Sequence, residues 1–184
     1  KPKTTGEFYT PQEVFDGLTK TAKKHSYKLI SASASEGTLG RQHLFELLEL
    51  VDESEFFYVL ETNGMTLGHD KKFAQQLKRF KNLHVRISIK GTNADEFHKL
   101  TGARKSSYDL PFIGLKNLID QEVSCNACVM VSFSDQSGIQ RVREKLFSIW
   151  PGILQSLELE KIKLFPKVAR RLSKHGLNKS KSDC

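Results

Sequence analysis

Three stretches of this 184-residue chain place reactive side chains where an apolar run gives way to small and polar residues. Residues 33–40 read SASEGTLG and carry Ser35, Glu36 and Thr38. Residues 57–64 read FYVLETNG and carry Glu61 and Asn63. Residues 85–93 read VRISIKGTN and carry Arg86, Ser88 and Lys90. A carboxylate beside free carbonyls at a strand end can accept from an ammonium group. Ser88 is a small donor and acceptor for a sugar hydroxyl, and Arg86 or Lys90 suits a carboxylate. Alternation puts Arg86, Ser88 and Lys90 on one strand face without saying whether that face looks inward or outward. Burying Glu61 at the end of an apolar strand costs free energy unless it finds partners.

The same alternation pairs Ser132 with Ser134, and Glu158 with Glu160. Turned inward, the two carboxylates would meet substrate or a cation; turned outward, they would pair with lysines. Cys125-Asn126-Ala127-Cys128 has the look of a metal or redox pair. On a strand, though, residues three apart point to opposite faces, and no second such pair or paired histidine supplies further ligands. These cysteines read as small buried side chains, and no metal site is expected in the chain. With Cys184 they make three, too few for a disulfide framework, so a reducing cytoplasm is the expected compartment.

The elements that must position these groups follow from periodicity and punctuation. Thr10, Pro11 and Glu13 form a helix start with a capping box, and the helix should run to about Lys24 with Val14, Phe15 and Leu18 inward. Strands are expected at 27–33, 56–61, 83–89, 123–133 and 153–164. Helices are expected at 41–51, 70–80, 93–100, 109–121, 137–149 and 166–175. Strands alternating with helices at this spacing argue for parallel β/α units with right-handed crossovers. Five units cannot close an eight-stranded barrel, so the expectation is an α/β fold of the open, partial TIM-like kind.

No apolar run reaches the roughly 20 residues of a membrane span. The net charge of +8 is concentrated at one end: residues 161–184 hold eight Lys/Arg and one Asp. The rest of the chain is nearly neutral, so the basic balance does not imply a nucleic-acid-binding barrel face. A basic tail of this kind attracts RNA, DNA or anionic lipid nonspecifically. The expected division is therefore 1–165 as the barrel and 166–184 as a basic helix and tail.

In order and spacing, the three strand-end motifs resemble those of the radical S-adenosylmethionine (SAM) superfamily over nearly the whole chain to about residue 166. Ala34-Ser35-Glu36-Gly37-Thr38 partly matches the glycine-rich segment ending in Glu-Pro that binds the methionine amino group of SAM. Glu36 takes the acidic position, two small residues replace glycines and Gly37 replaces proline. Glu61-Thr62-Asn63-Gly64 is similar to the motif closing the next strand, beside the SAM and substrate pocket. The resemblance implies Ser35, Glu36, Thr38, Glu61, Asn63, Ser88, Lys90 and Ser132 as SAM-binding residues. It also implies a [4Fe–4S] cluster, an electron donor protein and a 5′-deoxyadenosyl radical that abstracts hydrogen from a substrate not legible here. The cysteine triplet of that family is absent, so the expected fold is a radical SAM barrel without its first strand, with the cluster loop upstream of Lys1. A cluster-less SAM- or nucleotide-binding pseudoenzyme, or another β/α-barrel enzyme, remains as the alternative.

Overall fold

The computed structural model describes residues 7–33 and 36–176. Five strands, β1 (Leu29–Ile30), β2 (Phe57–Thr62), β3 (Leu83–Lys90), β4 (Cys125–Met130) and β5 (Glu158–Glu160), lie side by side in chain order. Every neighbouring pair is parallel, and the sheet curls into an open half-barrel, as the alternating pattern predicts. Helices α1 (Pro11–Lys24), α2 (Arg41–Asp52), α3 (Met65–His69), α4 (Lys71–Leu77), α5 (Ala94–Thr101), α6 (Leu110–Asp120), α7 (Gln136–Ile149) and α8 (Pro166–Lys174) complete it.

The core lies between the convex face of the sheet and the helices. Leu83, Val85, Ile87 and Ile89 of β3 point into it, with Tyr58 and Leu60 of β2 and Ala127 and Val129 of β4 beside them. Leu44, Leu47, Leu48 and Val51 of α2 close one side, and Phe73 and Leu77 of α4 with Phe80 another, the faces their helical spacing foretells. Burying a side chain of this size is worth about 1.5–3 kcal/mol, so this layer holds the strands in register.

Local signals mostly hold. Thr10 caps α1 with both halves of the capping box, and Gly102, in the left-handed region at φ +73°, stops α5. Four details differ from expectation. The α1 residues Val14, Phe15 and Leu18 are only half-buried; Thr19 and Ala22 go deepest. β1 is two residues long rather than seven. The segment before β5 is a 3₁₀ run (Pro151–Ser156), leaving three strand residues at the sheet edge. The single helix expected over 70–80 is preceded by α3, which begins directly after Gly64.

Two glycines explain α3. Its five residues are too few to show periodicity, but Gly68 sits against the Leu110 carbonyl and Gly114 against the Gly64 carbonyl. The absence of side chains lets α3 and α6 touch backbone to backbone. Buried Asn117 of α6 then donates to the Leu67 carbonyl at 2.9 Å. A methyl group at Gly68 would run into that Leu110 carbonyl. Gly68→Ala is therefore expected to destabilise the chain by about 1–3 kcal/mol in urea denaturation, whereas Gly17→Ala, at an open position, should cost nothing. Equal stability of the two variants would mean that the helices are not in close contact.

Candidate functional site

Parallel pairing decides which side chains share the concave face. Glu61 is registered with Arg86, Arg86 with Asn126, Ser88 with Cys128, Lys90 with Met130, and Cys128 with Glu158. Val85, Ile87 and Ile89 take the convex side. The polar row of β3 thus faces the interior of the half-barrel, and Glu158 and Glu160 join it there.

Arg86 is the hub of this face. Its Nη2 donates to Glu160 Oε1 at 2.6 Å, to Glu158 Oε2 at 2.8 Å and to Cys128 Sγ at 3.1 Å. Its Nη1 donates to Glu61 Oε1 at 3.2 Å. The guanidinium side chain is 18% exposed, against 40–47% for the three carboxylates. Hydrogen bonding to Glu158 raises the Arg86 pKa, with burial opposing it. Arg86 in turn holds the Glu158 and Glu160 carboxyls below the usual carboxylate range. Burial, with Glu160 nearby, pushes the Cys128 thiol up to about 12. Cys128, Glu158 and Glu160 bring ligand atoms within 4.8 Å of one another, but the guanidinium already stands among them as their cation.

At the carboxyl ends of β1 and β2, a second carboxylate works as a clamp. Glu36 Oε1 accepts from the Thr38 and Thr62 hydroxyls, each at 2.6 Å, and Oε2 accepts from the Asn63 amide at 2.8 Å. Asn63 Oδ1 receives the Met65 amide and starts α3. Thr38 is 2% exposed, and its hydroxyl reaches Thr66 at 3.1 Å. A carboxylate offers about four lone-pair positions, so Oε2 keeps one available.

Sequence reading missed a matching clamp two strands along the sheet. Glu96 of α5 accepts from the Thr92 amide at 2.8 Å, from Asn93 Nδ2 at 3.0 Å and from the Ser134 hydroxyl at 2.6 Å, tying the end of β3 to the turn after β4. Asn93 three residues before Glu96 is the spacing of a capping box, the signal that could have found it.

The remaining candidates fall as follows. Ser88 accepts from Lys90 Nζ at 2.6 Å. Lys90 and Glu160 line a cleft of about 430 Å³ with Leu100, Thr101, Met130 and Ile162 at the carboxyl ends of β3–β5. Ser132, past the end of β4, is buried and accepts the Ile162 amide at 2.6 Å, so it holds one wall of that cleft. Ser35 lies outside the described residues. A larger cleft of about 650 Å³, bordered by His84, Cys125 and Trp150, sits at the opposite ends of the strands, away from these groups.

Cys125 is half-buried on the convex side, and Cys128 is buried on the concave side, so the two point to opposite faces as their spacing on a strand predicts. Cys128 is nevertheless no plain hydrophobe, because it takes a guanidinium hydrogen bond. A [4Fe–4S] cluster needs several thiolates on one centre, so the cysteines among the described residues do not fit one.

The family model described as the radical SAM superfamily matches residues 1–141, and no curated protein matches the chain. Among solved structures, the chain is similar to Streptococcus suis SuiB bound to S-adenosylmethionine, with TM-score 0.71 and 13% identity over 95% of this chain and 41% of that one. It is similar to anSMEcpe with bound AdoMet at TM-score 0.56 and 18% identity, over 88% of this chain and 45% of the other. Archaeal TYW1 follows at TM-score 0.53 and 16% identity, over 95% and 67%. At these identities the likeness is one of fold, and the chain spans under half the length of the first two.

Glu158 and Glu160, lowered by Arg86, contribute stability that is present above the ordinary carboxylate range and is lost as pH falls through their lowered values. Arg86→Gln leaves three carboxylates facing one another. At neutral pH it should cost about 2 kcal/mol, less than a fully buried pair because the carboxylates are partly solvated. Its acid dependence should flatten, since protonation then relieves repulsion. Denaturant unfolding at neutral pH and near pH 4 measures both; an acid dependence equal to that of the unsubstituted chain would remove the cluster as its source.

Proposed function

The chain belongs to the radical SAM superfamily, and from that premise we propose that the carboxyl ends of its strands bind S-adenosylmethionine within a radical SAM enzyme. The observation that carries this reading is the placement of Glu36 beyond β1, Ser88 and Lys90 on β3 and Glu160 on β5, all toward the carboxyl ends of one parallel sheet, with Lys90 and Glu160 lining a cleft of about 430 Å³. That volume lies within the range of about 300–1,000 Å³ usual for small-molecule sites.

In this reading each residue has a physical task. Glu36 offers its remaining Oε2 acceptor position to the methionine ammonium, with the carboxylate already fixed by Thr38, Thr62 and Asn63. Holding it beforehand saves the ordering cost of a free side chain. Glu61 and Asn63 shape the floor beside it. Ser88 has a hydroxyl proton to give to a ribose oxygen, and Lys90 has two further N–H groups for a carboxylate. Ser132 keeps the Ile162 segment against the cleft. Thr38, and Ser35 next to Glu36 in sequence, belong to the same loop. The thiolates for a [4Fe–4S] cluster, and the contacts of an electron donor protein, would come from outside these residues.

Two measurements test the proposal. Titration calorimetry of SAM into the whole protein should show binding that Glu36→Ala weakens roughly ten- to a hundredfold, the cost of about 1.5–3 kcal/mol for a charge-assisted bond. Unchanged affinity in a folded variant would reduce Glu36 to a turn residue. After anaerobic reconstitution of the whole protein with iron and sulfide, Cys125→Ser and Cys128→Ser should leave iron content and the cluster's visible absorption unchanged. Loss of iron in either variant would bring that cysteine into the cluster; no iron in the unsubstituted protein would favour a cluster-less SAM-binding protein.

A further inference from the structure

Helix α8 stands apart from the SAM site and from the core. None of its residues is buried. Its apolar side chains recur at helical spacing: Phe165 at the N-cap, then Val168, Ala169 and Leu172, at i, i+3, i+4 and i+7. Phe165 is 63% exposed and Leu164 just before it 50%. Lys167, Arg170, Arg171 and Lys174 fill the opposite face. None of these four is in an ion pair with a described residue, and no Asp or Glu occurs between residues 161 and 176. No helix among the described residues is long and apolar enough to cross a membrane.

A partner for this helix must offer two chemistries at once: negative charge for the cationic face and a yielding apolar layer for the Phe165–Leu172 stripe. RNA would answer the first and leave the stripe in water. An apolar protein groove would answer the second and leave four cations without counter-charges. An anionic lipid surface answers both, because phosphates lie at the level of the basic side chains and acyl chains begin beneath them. Lys and Arg stems also span this boundary, keeping the apolar methylenes in and the charge out. We propose that α8 is a peripheral anchor that lies flat in the headgroup region of anionic membranes.

The proposal is independent of what the strand ends bind, so its test leaves SAM affinity aside. The 184-residue chain is sedimented with vesicles of phosphatidylcholine alone and with vesicles containing roughly one-third phosphatidylserine. It should bind the anionic vesicles and leave the neutral ones largely bare. Each basic residue near such a surface is worth about fivefold in affinity, so Arg170→Gln with Arg171→Gln should weaken binding about 30-fold. Phe165→Ser with Leu172→Ser, which leaves the charge intact, should weaken it about tenfold or more. Phe165, Arg170 and Arg171 are exposed and Leu172 is only partly covered, so circular dichroism should show an unaltered barrel. Failure to sediment with anionic vesicles overturns the proposal. So does binding that ignores the apolar pair while the arginine pair abolishes a shift on generic RNA, which would make α8 a nucleic-acid contact. A dimer in ultracentrifugation that Phe165→Ser with Leu172→Ser disperses, with no vesicle binding, would give the stripe to a second copy of the chain and overturn it equally.

Discussion

A single guanidinium organises the concave face of this protein. Arg86 reaches sideways across the sheet to β2 through Glu61, to β4 through Cys128 and to β5 through Glu158 and Glu160. β5 contributes three residues to the sheet, too few to define a register by apolar alternation. Its two carboxylates, both aimed at the one cation, supply the missing definition. Partly buried ion pairs are weak evidence for stability, because desolvation offsets much of the attraction. Their effect here is positional: a one-residue slip of β5 would turn both carboxylates away from Arg86 and leave a shielded cation short of partners.

The same logic, with the sign reversed, appears at the strand ends. Glu36 and Glu96 are carboxylates surrounded by hydroxyls and backbone amides rather than by cations. Each ties the loop after one strand to the end of the next. Loops at the carboxyl ends of parallel strands are where ligands bind in β/α folds, and such loops are the mobile parts of a scaffold unless something fixes them. The clamps fix them at the β1/β2 and β3/β4 junctions. In the proposed SAM site, Glu36 combines both tasks, since Oε2 accepts only the Asn63 amide and keeps an acceptor position.

Charge is partitioned in the molecule by task. The barrel is close to neutral, with its interior charges closed into the Arg86 network, while the cationic excess lies in residues 161–184.

The sequence by itself determined the alternation of strands and helices, and hence a parallel, open half-barrel, because apolar periodicity and caps such as Thr10 are local signals. It also placed Glu36, Glu61, Ser88 and Lys90 at strand ends, and showed that Cys125 and Cys128 must diverge. Other features were beyond its reach. The helix α3 spans five residues and depends on Gly68 and Gly114 meeting backbones distant in sequence. β1 and β5 are shorter than their apolar stretches because a strand lasts only as long as its neighbour pairs with it. Above all, alternation tells which residues share a face and never which face turns inward. Arg86 lies 72 and 74 residues from Glu158 and Glu160, and only the pairing and curl of the sheet bring the three together. The tertiary structure alone decided that these charges look inward and that the carboxylates gather on one guanidinium, because that outcome depends on contacts across strands, which no local pattern encodes.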